Sequence, residues 1–190
     1  MIPSFDLSGV LPPFDGPNVV DESSRSPYEA TANELVERFG ISAERGAVLQ
    51  GLLEYRAALR NLGLVEGFQW IGGSYVEDCE SIRSRAPNDV DVVTFVYRPN
   101  SYDDNHQWQT FVTANINLFS TQTAKADYRC DAYFVELGAE PETIVDRSIY
   151  WYGLFSHQRD TARWKGMVQV NLVSDDEIAI RSLEARALEW

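Results

Sequence analysis

Two aspartates set inside a run of valines constrain this chain more than any other feature. From Asp89 to Val96 the sequence reads DVDVVTFV, and Val90, Val92, Val93 and Phe95 are the β-branched and aromatic residues of a buried strand. Residues two apart on a strand point to the same face, so Asp89 and Asp91 present adjacent carboxylates while Val90 and Val92 turn toward a core. Ionised carboxylates held that close repel each other unless a proton or a cation stands between them. A hard divalent cation with oxygen ligands, Mg²⁺ above all, meets that need.

Upstream, Phe68 to Ile71 is an apolar run that ends in Gly72, Gly73 and Ser74. Two glycines after a strand let the backbone turn tightly and approach a ligand without a Cβ in the way, and Ser74 adds a hydroxyl. A helix starting there would offer free N–H groups to a phosphate. Taken alone, such a turn most often only reverses the chain. Paired with the acids, it matches what phosphoryl or nucleotidyl transfer requires, which is positioning plus neutralisation of charge on phosphate oxygens.

Gly73-Ser74 followed by Asp89-Val90-Asp91 resembles the Gly-Ser, then Asp-x-Asp signature of the polymerase-β-like nucleotidyltransferase superfamily. The stretches LPPFDG, GSYV, PNDVDVV, CDAYFVEL, WYGLFSHQRD and KGMVQV together resemble a small bacterial domain family assigned to that superfamily. The resemblance spans most of the chain, but only the Gly-Ser and Asp-x-Asp elements bear on mechanism. The connection from Ser74 to Asp89 is longer than the superfamily pattern, and residues from Asp78 to Arg85 read as an insertion.

The resemblance implies a third carboxylate on a strand beside the Asp-x-Asp strand. Asp131, among Cys130, Ala132, Tyr133, Phe134 and Val135, is the position offered, with Asp127 as its competitor in a more polar stretch. The structural alternative for Asp131 is an edge-strand acid facing water. By the same resemblance, Asp89, Asp91 and Asp131 would bind Mg²⁺ or Mn²⁺ and hold a nucleoside triphosphate, with Gly73, Ser74, Arg159 and Lys165 on the phosphates. The implied reaction moves a nucleoside monophosphate onto a hydroxyl of a protein or RNA acceptor, in a toxin–antitoxin or phage-defence setting. The competing expectation is a catalytically inactive binding protein of the same fold, an antitoxin-like partner. A carboxylate nuclease of the RNase H type would leave the Gly-Ser turn unexplained.

The remaining pattern is that of an α/β (α+β) domain, a mixed sheet of about four to five strands flanked by helices. Residues 1–28, rich in Pro, Gly, Ser and Asp, read as an irregular arm, and 29–190 as one domain. Periodicity predicts helices over Ala30–Phe39, from an N-cap at Ser42 to Gly63, over Trp108–Phe119, over Pro141–Phe155 and at the C-terminus. Strands are expected at Phe68–Ile71, Val90–Val96, Tyr128–Leu137 and Met167–Val173. A polar break lies at 98–104, and a polar linker follows Phe119. Arg45 stands where a capping box would prefer Glu.

The 190 residues carry 29 acidic and 16 basic side chains, for a formal charge of −13. Such a field repels nucleic acid, so tight DNA binding is not expected and a protein or small-molecule acceptor is favoured. No apolar run approaches the ~18 residues that span a bilayer. The first residues lack the basic and apolar parts of a signal peptide, so a cytoplasmic setting with Cys79 and Cys130 as free thiols is expected. His106 and His157 lack zinc-ligand spacing, and no G-x-x-x-x-G-K-[ST] loop occurs. Arg159, Arg163 and Lys165 concentrate charge after a helix, where long cations more often satisfy carbonyls or meet solvent. Most tryptophans and tyrosines sit in apolar periodic runs and are expected in the core.

Overall fold

The computed structural model describes residues 1–18, 20–102 and 104–190. Val19, within the expected irregular arm, and Asp103, within the polar break, lie outside the described residues. In chain order the elements are β1 (Tyr28–Ala30), α1 (Ala32–Phe39), α2 (Ala43–Asn61), β2 (Gly67–Gly72), α3 (Cys79–Arg83) and β3 (Val90–Val96). They are followed by α4 (Asn105–Ala114), α5 (Ile116–Phe119), α6 (Thr121–Tyr128), β4 (Cys130–Glu136), α7 (Pro141–Phe155), β5 (Val168–Asn171) and α8 (Asp176–Ala187).

The five strands form one open mixed sheet in the order β1-β5-β2-β3-β4. β2 is antiparallel to both β3 and β5, while β1 with β5 and β3 with β4 run parallel. Strand alternation separates the two faces. On one, Ile71, Val90, Val92, Cys130, Ala132, Val168 and Val170 pack with leucines of α1, α2 and α8. On the other, Val93, Phe95 and Val135 meet Trp151 and Phe155 of α7. Fold class and the positions of four expected strands agree with the sequence pattern.

Local chemistry explains the helix boundaries. Thr31 and Glu34 form a reciprocal capping box on α1, and the Ser42 hydroxyl accepts from the Arg45 N–H to start α2. Pro141 sits in the first turn of α7, where its missing N–H costs nothing. The expected single helix over Trp108–Phe119 is instead two, α4 and α5. At Asn115, between them, the side-chain amide donates to the Phe111 carbonyl, 2.8 Å, competing with the helix ladder. The segment read as polar linker after Phe119 is the helix α6, and the insertion carries α3, capped by Asp78.

The arm is largely irregular, but it is not loosely laid on. Val10 and Leu11 are fully buried, the Leu11 carbonyl accepts from Gly166, and Asp78 donates to the Gly9 carbonyl. Its last residue, Tyr28, opens β1, which ends one edge of the sheet.

Candidate functional site

β3 brings the acids to the second face of the sheet. Asp91 lies opposite Gly72 of β2 on one side and opposite Asp131 of β4 on the other, so Gly72, Asp91 and Asp131 form one row across three strands. Asp89 immediately precedes β3, and alternation puts it on the same face as Asp91. Asp127, the competitor for Asp131, is exposed on α6.

The turn after β2 presses on this row. Gly73 has φ +67°, and a Cβ there would overlap the Asp91 carboxylate, so only glycine fits. Residues Gly73–Val76 make a single short 3₁₀ turn, not the start of a longer helix. Ser74 is half-buried, and its carbonyl accepts from the Glu77 N–H.

Lys165 holds the turn from beneath. Its ammonium donates to the Gly73 carbonyl, 2.6 Å, and to Glu77 Oε1, 2.6 Å, and its side chain is 2% exposed. Glu77 also meets Gln158 and Arg83, each at 3.0 Å. Burial opposes charge on both members of the Lys165–Glu77 pair. Lys165, Gln158 and Arg83 together outweigh it and keep Glu77 ionised, below the usual carboxylate range. Arg45, fully buried on α2, donates to the carbonyls of Tyr75 and Glu77 and pairs with Glu80 of α3. The long Ser74–Asp89 connection is thus braced by two buried cations.

The acids themselves are under-compensated. The Asp91 carboxyl is pushed up to about 6, by burial first and then by the charges of Asp131 and Asp89, with Lys165 and Arg159 pulling partly the other way. Tyr133, two residues after Asp131 and hydrogen-bonded to it, is pushed up to about 12 by burial and by that acid. Lys125 of α6 meets Asp89 Oδ2 at 2.5 Å and Asp131 Oδ2 at 3.6 Å. Both lysines of the chain therefore converge on this end of the sheet.

The structure brings together Asp89, Asp91, Asp131 and Gly73. Of the cations expected on phosphates, Arg159 is exposed and its charge acts on Asp91, whereas the Lys165 ammonium is committed to Gly73 and Glu77. Lys125 went unnoticed in the sequence because it sits in a polar stretch without apolar periodicity. Among the described residues no three His, Cys, Asp or Glu side chains stand grouped to hold a metal ion as they are. The three carboxylates are oxygen ligands of the kind a hard divalent cation takes; Lys125 pairs with Asp89 and Asp131, and among the described residues Asp91 makes no direct ion pair. Two surface concavities, one along Trp108, Phe119 and Tyr133 and one along Trp70, Tyr152 and Trp164, are lined by none of the acids.

Fold and site define an α+β protein whose open mixed sheet carries a row of acids beside a glycine turn. The chain belongs to DUF6932, a family of unknown function, whose family model matches residues 3–171. No curated protein and no solved structure matches it. Among the described residues no helix is long and apolar enough to cross a membrane, and Cys79 and Cys130 are free and buried.

Proposed function

We propose that the acid row is the centre of a Mg²⁺- or Mn²⁺-dependent nucleotidyltransferase that moves a nucleoside monophosphate from a nucleoside triphosphate to a protein or RNA hydroxyl. The observation that carries this reading is the juxtaposition of Gly72, Asp91 and Asp131 in one row, with the side-chain space of Gly73 filled by the Asp91 carboxylate. Backbone free of side chains thereby lies against the acids, where phosphate oxygens need close approach. The raised Asp91 carboxyl supports it further, since it registers a carboxyl that is buried first of all and then set beside the charges of Asp131 and Asp89.

In this reading Asp89, Asp91 and Asp131 hold the cation, and the Gly73–Ser74 turn and Arg159 orient the triphosphate. A bound divalent cation supplies polarisation of the α-phosphate and neutralisation of the leaving pyrophosphate. Lys165 and Glu77 keep the turn in place from beneath, so their contribution is positioning.

A second reading is favoured by Lys125. An ammonium lodged on Asp89 and Asp131 can replace a metal permanently, leaving a binding protein that uses the fold without turnover, such as an antitoxin-like partner. Incubation with each α-labelled nucleoside triphosphate, Mg²⁺ and lysate separates the two. Label on protein or RNA that disappears with Asp91→Asn supports transfer. Absence of label with every triphosphate, together with equal calorimetric binding of MgATP by wild type and the Asp89→Asn/Asp91→Asn variant, would sink the enzymatic reading.

A further inference from the structure

We infer that Lys125 is an exchangeable counter-cation of the acid row: it partly neutralises the resting site and competes with the divalent cation that replaces it. This rests on the acids being a cation site, and it adds how that site is kept before loading.

The strands that carry the acids are held in place. Asp91 and Asp131 are opposite partners in the continuous parallel pairing of β3 with β4, and the Val90 N–H donates to the Arg129 carbonyl at the entry to that pairing. The backbones that carry the carboxylates are fixed, so their repulsion is not relieved by strand motion. A mobile charge has to relieve it.

Lys125 is built to be that charge. It stands on α6, a turn before the chain reverses at Arg129 in the left-handed conformation, and this places its stem over the end of β3. Its side chain is 50% exposed, whereas the other lysine, Lys165, is 2% exposed and held by two acceptors. An ammonium on a flexible four-carbon stem is a movable point charge, while a guanidinium would fork onto two oxygens and lock. The contacts are also incomplete. Lys125 pairs with Asp89 and Asp131 but makes no ion pair with Asp91. A divalent cation in the same space carries more charge and can reach the carboxylate that the ammonium leaves out.

Competition follows from occupancy. The divalent cation cannot take the oxygens of Asp89 and Asp131 while the ammonium holds them, so its affinity is reduced by the strength of the lysine pairs. A triphosphate arriving with the cation gives the displaced ammonium a new anionic partner, and loading is favoured when both enter together.

The test measures Mn²⁺ binding by calorimetry on the full chain without nucleotide, comparing wild type, Lys125→Met, Lys125→Arg and Asp91→Asn. Lys125→Met keeps the stem and removes the charge. It is expected to bind Mn²⁺ roughly fivefold tighter than wild type, the order of a half-exposed ion pair, whereas Lys125→Arg stays at or below wild type. Its thermal midpoint should also rise more on adding Mn²⁺ than that of wild type. Equal or weaker Mn²⁺ binding by Lys125→Met, with binding lost in Asp91→Asn, overturns the inference and leaves the cation site standing. No Mn²⁺ binding by any of the four proteins at millimolar concentration overturns both.

Discussion

Asp91 shows at the scale of one residue how a buried carboxyl beside other acids opposes stability. Its carboxyl titrates near 6 in the folded chain and near 4 when unfolded, so folding favours its protonated form. The penalty is absent below about pH 4, grows as pH rises and is complete above about pH 6. Asp91→Asn removes it. In the absence of divalent cation the variant should therefore melt several degrees above wild type at pH 7.5, about 2–4 °C per kcal/mol for a chain of this size, and show little gain at pH 4. Scanning calorimetry at the two pH values checks this, and a variant that melts lower at pH 7.5 would contradict the assigned strain. In the proposed reading, cation binding carries the opposite slope. A divalent ion needs the carboxylate, so Mn²⁺ affinity should fall as pH drops below 6. The acids were legible in the sequence because charged residues inside apolar β-runs stand out against their neighbours. Lys125 was not, because a lysine among Thr, Gln and Ala resembles any solvated surface until the fold lays it on Asp89. Lys165 was noticed for its charge, but the buried partner that claims it, Glu77, gave no local sign.

At the scale of elements, leucine spacing disclosed α2 but not that Arg45 and Arg56 within it are buried. Arg56 is fully buried and donates to Asp176 from Nε at 2.7 Å and from its terminal nitrogen at 3.0 Å, with further bonds to Gln69 and to the Asn171 carbonyl. It thereby ties α2 to α8, β2 and the end of β5. Burial alone would raise the Asp176 carboxyl, but the hydrogen bonds and charges of Arg56 and Arg60 hold it below its ordinary range. A carboxyl depressed in the folded state contributes stability above its unfolded value and loses it as pH falls through the folded one, so this network weakens below about pH 4. Arg56→Met leaves Asp176 buried with only Arg60 beside it, and urea unfolding at pH 7 should show a loss of about 3–5 kcal/mol. A loss under about 1 kcal/mol would mean that the helices are held by apolar packing alone. The same blindness explains α6. Only Ala124 of that helix is fully buried, so it has no apolar stripe to read, yet the Tyr128 ring at its end packs at a tilt against Tyr55 of α2.

For the whole molecule, charge and sheet class were legible and strand order was not. Alternation identifies strands, but β5 enters the sheet between β1 and β2 through pairings that no local pattern encodes. The charge has a further consequence in three dimensions. Of the 16 basic side chains in this −13 chain, seven are in ion pairs: Arg45, Arg56, Arg60, Arg83, Arg98 and both lysines. A polyanion thus meets a net charge of −13 with part of the basic complement already paired, which weakens binding by counterion release. Fluorescence anisotropy with a short labelled single-stranded RNA at 0.15 M salt should give a dissociation constant weaker than about 100 µM, beyond the usual range of non-specific binders. If transfer occurs, label should accordingly appear on protein before RNA in a mixed lysate. Micromolar RNA binding that falls steeply with added salt would reverse that order, because it would require a local basic surface that the net charge of −13 argues against.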